Sequence, residues 1–366
     1  MAEIKIINLK KSFGAFTAVQ NSNLTIKNGE FFVLLGPSGC GKTTTLRMIA
    51  GLELPTAGQI LLDGQDVTFN RPRERDIAFV FQLFALYPHM TVRANMAFPL
   101  ANEGFPKAQI IQTVEEIARM LKIDHLLERS VSGLSGGDRQ RVALGRAIVR
   151  RPKAFLMDEP LGTLDAEFRE LMCLELRRLH DRLKATTVYV THDQQEAMQL
   201  ADTIVVMNKG VILQADTPDR LYDCPNCVFV GKFIGSPAMS FLTVDAGVAV
   251  GAKSVLVAGV SVAVPEQLEA AKNALLGVRP ERVTLRDEGG LRGQVTAVEY
   301  LGSHQIITVQ TQAGMVRARV AKDLAVRLDA NLGLEFDMAR SLLYDAHSEQ
   351  VLASAFTQRL EVVAYG

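Results

Sequence analysis

Eight residues, Gly36-Pro37-Ser38-Gly39-Cys40-Gly41-Lys42-Thr43, constrain this chain more than any other stretch. They follow a continuously apolar run, Phe31-Phe32-Val33-Leu34-Leu35, and open a segment of about residues 42–50 that reads as a helix. An unbroken apolar run suits a strand buried on both faces, as in a parallel sheet. Strand, glycine loop and helix in that order match the phosphate-loop pattern G-x-x-x-x-G-K-[ST]. Its glycines let backbone N–H groups converge on phosphate oxygens, and the helix start adds free donors and a favourable dipole. Lys42 is placed for the β- and γ-phosphates and the Thr43 hydroxyl for Mg²⁺.

The pattern around this loop alternates strands and helices. Ile4, Ile6 and Leu9 begin a β segment, and Asn28-Gly29 predicts a hairpin joining residues 24–26 to 31–35. Residues 77–81 read as a buried strand ending at Gln82, residues 91–150 as helical, 155–157 as a strand and 167–183 as a long amphipathic helix. Strands at 188–190 and 203–207 follow, and Asn208-Lys209-Gly210 turns into another at 211–213. Such alternation predicts an α/β fold, a largely parallel sheet with helices on both faces. Gly235-Ser236-Pro237 breaks the last helix, and short alternating strands such as 294–298, 305–310 and 316–320 follow. The expected domains are therefore 1–235, with a helical subdomain at about 83–150, and 236–366, a small all-β barrel or sandwich.

Other chemistry-bearing residues fall at strand ends, the edge where ligands bind in such sheets. Asp158 ends an apolar strand and is expected to be a Mg²⁺ carboxylate, with Glu159 beside it polarising a water for attack on the γ-phosphate. His192 closes the next β run and is placed to hydrogen-bond that phosphate. The Gln82 amide can sense Mg²⁺ or the attacking water without carrying charge.

Composition narrows the classes. Forty basic and forty acidic residues give a formal net charge of zero, which argues against a nucleic-acid binder held by phosphate contacts. The N-terminus carries charges where an apolar signal core would sit, so no targeting segment is expected. The most apolar stretch, 241–264, contains Asp245 and Lys253 and reads as short strands rather than a membrane span. A soluble chain that reaches a membrane only through a partner is expected. Four cysteines suit a reducing compartment. Cys224-Pro225-Asn226-Cys227 has metal or redox spacing without a second pair and reads as ordinary thiols.

Taken together these residues resemble the ATP-binding-cassette ATPases, over residues 1 to about 235. Leu134-Ser135-Gly136-Gly137-Asp138 is similar to their signature sequence, Asp158-Glu159-Pro160 to their second nucleotide motif, Leu164-Asp165 to the D-loop, Gln82 to the Q-loop and His192 to the switch histidine. The resemblance implies that Phe13 stacks on adenine, that Gly36, Pro37, Ser38, Gly39, Cys40, Gly41, Lys42, Thr43 and Thr44 hold the nucleotide, and that Thr43, Gln82 and Asp158 hold Mg²⁺. It also implies that Ser135, Gly136, Gly137 and Asp138 open a helix whose N-terminus faces the γ-phosphate of a second subunit. One phosphate loop and one signature per chain then require two chains about a two-fold axis. Asp138 departs from the family's glutamine; its carboxylate should repel that phosphate, with Arg139 and Arg141 partly neutralising it. Gly162-Thr163 departs from the usual small polar pair.

A longer resemblance is to the carbohydrate-importer ATPases of the maltose, trehalose and glycerol-phosphate kind. Residues 84–90 resemble their surface for the membrane subunits, 233–239 their hinge, and Gly277-Val278-Arg279-Pro280-Glu281 a motif of their oligonucleotide-fold-like regulatory domain. The resemblance implies an ATP- and Mg²⁺-dependent ATPase at the cytoplasmic face of the inner membrane, energising uptake of a sugar or polyol. Its implied partners are a second ATPase subunit, two permease subunits and, indirectly, a solute-binding protein, with no nucleic acid. Two other readings stay open: an importer of iron, an oxyanion or a polyamine, and a regulatory or soluble non-transport cassette protein.

Overall fold

The computed structural model describes residues 2–82, 85–162 and 164–358. Phe84, in the segment 84–90, and Thr163, the second residue of the pair after Leu161, lie outside the described residues. The chain divides into two compact units, Met1–Pro218 and Asp219–Gly366.

The first unit opens with β1 (Ile4–Phe13) and β2 (Phe16–Ile26), then β3 (Phe31–Leu35), α1 (Lys42–Ile49), β4 (Ala57–Leu62), β5 (Gln65–Asp66) and β6 (Ile77–Val80). Three helices intervene, α2 (Val92–Asn102), α3 (Lys107–Met120) and α4 (Gly136–Ile148), and they pack on one another. The chain continues through β7 (Ala154–Asp158), α5 (Ala166–Leu183), β8 (Thr186–Thr191), α6 (Gln194–Leu200), β9 (Thr203–Asn208) and β10 (Val211–Asp216).

Two sheets result. One has four antiparallel strands in the order β2-β1-β4-β5; the other has six in the order β10-β9-β3-β8-β7-β6, parallel except for the β9–β10 hairpin. The hairpin predicted at Asn28-Gly29 does not form. β2 pairs with β1, while β3 lies between β8 and β9. The reason is apolarity on both faces: every residue of β3 is buried, so it belongs in the interior of a covered sheet and not beside an amphipathic strand. Gly29, at φ +74°, serves instead as the turn that carries the chain from one sheet to the other.

Register places the chemistry. Leu35 aligns with Thr191, Asp158 with Val190, and Val80 with Met157. The phosphate loop, Gln82, Asp158–Glu159 and His192 thus leave the same edge of the parallel sheet. The apolar core beneath includes Phe32, Leu34, Leu156, Val188 and Val190, none more than 1% exposed.

The second unit begins within α7 (Pro218–Asp223) and continues through α8 (Val228–Phe233), β11 (Ser240–Thr243), β12 (Ser254–Val257), β13 (Val260–Ala263), β14 (Ala274–Val278) and β15 (Val283–Arg286). It ends with β16 (Leu291–Tyr300), β17 (His304–Thr311), β18 (Gly314–Ala321), β19 (Asn331–Phe336) and β20 (Leu342–Asp345). All pairings are antiparallel, in sheets β11-β14-β20, β12-β13 and β15-β19-β16-β17-β18 around a shared apolar core. The division falls ahead of the boundary expected at 235/236. Arg279 supplies the reason: fully buried after β14, it donates to the carbonyl oxygens of Tyr222 (2.6 and 3.0 Å) and Ile234 (2.5 Å), binding both short helices to the β unit.

Candidate nucleotide site

The phosphate loop folds as its glycines dictate. Gly41 caps α1 at φ +106°, and a Cβ there would sit 2.4 Å from the Ala18 carbonyl oxygen. Only glycine meets both demands. Ser38 and Gly39 form the exposed tip, Pro37 is half-buried, and Gly36 and Cys40 are buried; Thr44 sits half-buried in the first turn of α1. The Lys42 ammonium, 4% exposed, donates to the carbonyl oxygens of Gly36 (2.7 Å) and Pro37 (3.0 Å) and lies 3.9 Å from Cys40 Sγ. Burial pushes the Cys40 thiol pKa up, and the nearby Lys42 charge opposes this.

Two clusters stand beside the loop. In the first, Thr43 Oγ1 donates to Asp158 Oδ1 at 2.9 Å. Burial raises the Asp158 pKa from its ordinary value; the Thr43 hydrogen bond opposes the shift and the Glu159 charge adds to it. Adjacent ligands of an octahedral ion with bonds of about 2.1 Å stand about 3 Å apart, so this hard-oxygen pair fits Mg²⁺. Among the described residues no group of three or more His, Cys, Asp or Glu could hold a metal by itself.

In the second cluster Glu159 Oε2 meets His192 Nδ1 at 3.2 Å and Gln82 Nε2 at 3.4 Å. Glu159 stands in the left-handed region at φ +43°, sparsely populated by side-chain-bearing residues, and backbone strain of this kind concentrates at functional sites. Its N–H donates to the Val190 carbonyl at 3.0 Å and its own carbonyl accepts from Gly162 at 3.2 Å, which holds the turn. The carboxylate is thereby aimed at the sheet edge, with an imidazole and an amide converging on one oxygen.

The remaining candidates lie apart. Ser135 caps α4, accepting the Asp138 N–H at 3.2 Å. Gly137 serves packing: a Cβ there would lie 2.0 Å from the Phe168 ring on α5, which would have to shift. Asp165 caps α5, accepting the Phe168 N–H at 2.9 Å. Among the described residues no hydrogen bond or ion pair joins Ser135 or Asp138 to the phosphate loop. Phe13, at the end of β1, is 48% exposed, with the Lys11 ammonium over its ring 4.8 Å from the centre.

Sequence reading missed a polar group behind His192. The buried Glu196 accepts from the Tyr189 and Thr191 hydroxyls, both at 2.7 Å, and Arg169 reaches it from α5. No local spacing marks these residues, because their partners lie on other elements.

A family model described as ABC transporter matches residues 19–162, and one described as TOBE domain matches residues 276–343. The chain is 44% identical to the trehalose/maltose import ATP-binding protein MalK of Thermococcus litoralis, over 94% of this chain and 98% of that protein. It is 45% identical to the sn-glycerol-3-phosphate import ATP-binding protein UgpC of Psychromonas ingrahamii, over 96% and 95% respectively. Its fold matches the dimeric structure of a bacterial ABC transporter cassette with a TM-score of 0.54 and 31% identity, covering 59% of this chain and 98% of that one. The chain belongs to the ATP-binding subunits of ABC importers, ATPases built as a nucleotide cassette followed by a TOBE domain.

Proposed function

We propose that this chain hydrolyses ATP to drive uptake of a sugar or polyol, working as one of a pair of ATPase subunits beneath two membrane permease subunits. A solute-binding protein delivers the cargo, and the assembly sits at the cytoplasmic face of the inner membrane. The relatives named for trehalose/maltose and glycerol-phosphate import support the cargo class. No helix among the described residues is long and apolar enough to cross a membrane, which fits a subunit that needs permease partners. The domain boundary at 235/236 remains the functional proposal, with the β-rich C-terminal domain as the regulatory part.

One observation carries the chemical reading: Glu159 Oε2 lies within 3.4 Å of both Gln82 and His192, one residue from the Thr43–Asp158 pair. Lys42 and the loop N–H groups bind the β- and γ-phosphates, and Phe13 takes the adenine. Thr43 and Asp158 hold Mg²⁺, with Gln82 nearby; the ion supplies positive charge to the phosphate oxygens. Glu159 orients and deprotonates the attacking water, His192 donates to the γ-phosphate, and Gln82 reports on both. Ser135, Gly136 and Gly137 present the start of α4 to the γ-phosphate held by the second subunit. Asp165 lies on the surface between subunits.

The test is ATP turnover of the purified chain against Glu159→Gln, with particle size followed in Mg²⁺-ATP. Loss of a general base costs roughly 10²–10⁴-fold. The variant should lose at least a hundredfold in kcat and accumulate as an ATP-dependent dimer. Retained turnover would remove Glu159 from its role.

A further inference from the structure

Arg169 lies one turn into α5 and touches two loops at once. Its Nη2 donates to the Leu164 carbonyl at 2.9 Å, and its Nη1 to Asp193 Oδ2 at 3.1 Å, while Nε lies 3.5 Å from Glu196 Oε1. Leu164 belongs to the turn that follows Glu159; Asp193 and Glu196 open α6 directly after His192. Both carboxylates divide their oxygens between the two tasks. Asp193 Oδ1 caps α6 by accepting from Gln195 (2.7 Å) and Glu196 (3.2 Å), leaving Oδ2 for Arg169. Glu196 Oε2 takes the Tyr189 and Thr191 hydroxyls, leaving Oε1 for Arg169. A planar guanidinium fork suits such a span, and a single ammonium does not.

The same turn of α5 also meets α4. The Phe168 ring occupies the space a side chain at position 137 would need, and Leu164 Cδ2 lies 3.7 Å from where a Cβ of Gly136 would be. Gly136 and Gly137 begin the helix that, on the reading above, faces a second subunit. A continuous packed and hydrogen-bonded route therefore runs from that helix through residues 164–169 to the residue next to His192. Energetic coupling between two sites requires a physical link of this kind.

We propose that Arg169 is a positioning residue that ties Leu164 and the start of α4 to the His192 loop, so that docking of a second subunit is felt at the imidazole beside Glu159. Arg169 acts through these elements and has no direct part in the chemistry. The inference rests on the functional reading given above.

The test uses the full chain. Arg169→Met should lower kcat for ATP at least tenfold while KM shifts less than twofold, because the phosphate loop is untouched. Asp193→Asn removes the charge facing Arg169 and keeps an amide oxygen for the α6 cap. It should lose a similar factor, and the double variant should be no slower than the slower single one. Turnover within twofold of the parent, a loss carried by KM, or additive losses would overturn the proposal. If Arg169→Met does not fold, Asp193→Asn decides the matter alone by the same kcat and KM criteria. A second readout does not need turnover. In the Glu159→Gln chain with saturating Mg²⁺-ATP, amide exchange should slow over 36–45 and 192–200. Adding Arg169→Met should abolish slowing at 192–200 and keep it at 36–45; slowing kept at both sites would overturn the proposal. Retained turnover in Glu159→Gln itself would instead refute the functional reading, so the two failures are distinct.

Discussion

Asp138 stands where the resemblance to the cassette signature implies a glutamine. Its carboxylate accepts the Ser135 hydroxyl proton at 2.7 Å, while Ser135 accepts the Asp138 N–H, a reciprocal cap of the helix start. The two arginines expected to neutralise it behave differently. Arg141 approaches Asp138 at 3.9 Å but Glu175 at 3.2 Å, and Arg139 donates to the Ser132 carbonyl. Arg141 thus stands only at the edge of ion-pair distance from Asp138, and the carboxylate accepts the hydrogen bond that Ser135 would otherwise offer a phosphate. Asp138→Gln frees that hydroxyl and removes the repulsion, at the loss of a first-turn anion worth about 0.3–1 kcal/mol to the helix. The variant should form its ATP-dependent dimer at several-fold lower ATP while melting slightly earlier, which size measurement against ATP concentration and thermal unfolding would check. A dimer no easier to form would mean that Ser135 does not use its proton in closure.

At the scale of elements, what was legible in the sequence was local. The phosphate loop, the α4 cap at Ser135 and the long helix α5 follow from spacings of a few residues, and each formed close to where the pattern puts it. The Asn28-Gly29 hairpin failed because turn chemistry is also local, whereas the partner of β3 is chosen by burial on both its faces. Arg169 was invisible for the same reason, since its carboxylate partners lie 24 and 27 residues further along the chain. Gly137 was legible as part of a motif, but its packing role was not. Gly137→Ala should push the Phe168 ring out of place and destabilise the first unit by about 1–3 kcal/mol, the usual scale for overpacking. Phe168→Leu should restore part of that loss in the double variant. Thermal unfolding of the three chains gives the coupling directly, and strictly additive losses would show that the ring does not fill this space.

Each of the two units has an apolar core of its own, and the two respond to different perturbations. The first unit buries a β-sheet core under the phosphate loop; the second buries its own among its antiparallel strands, with a smaller cluster where Val228 of α8 meets Leu342 and Tyr344. Units with separate cores can unfold separately, in which case one melting temperature does not describe the chain. ATP at a hundred times its dissociation constant stabilises the state that binds it by about 2.7 kcal/mol. That shift belongs to the unit carrying Lys42. Arg279 belongs to the other: its guanidinium stacks 4.0 Å from the Tyr222 ring centre, and burial lowers its pKa. Its partners are the carbonyl oxygens at Tyr222 and Ile234, and because Arg279 is fully buried its removal takes their donor from inside the unit. Each buried acceptor left without a donor costs about 1–3 kcal/mol, so Arg279→Met should destabilise the second unit by at least about 2 kcal/mol. Calorimetry with and without Mg²⁺-ATP separates the effects. Nucleotide should raise one transition in both chains, and the substitution should lower the other while ATP affinity stays within twofold. A single transition moved by both would mean that the two cores unfold as one.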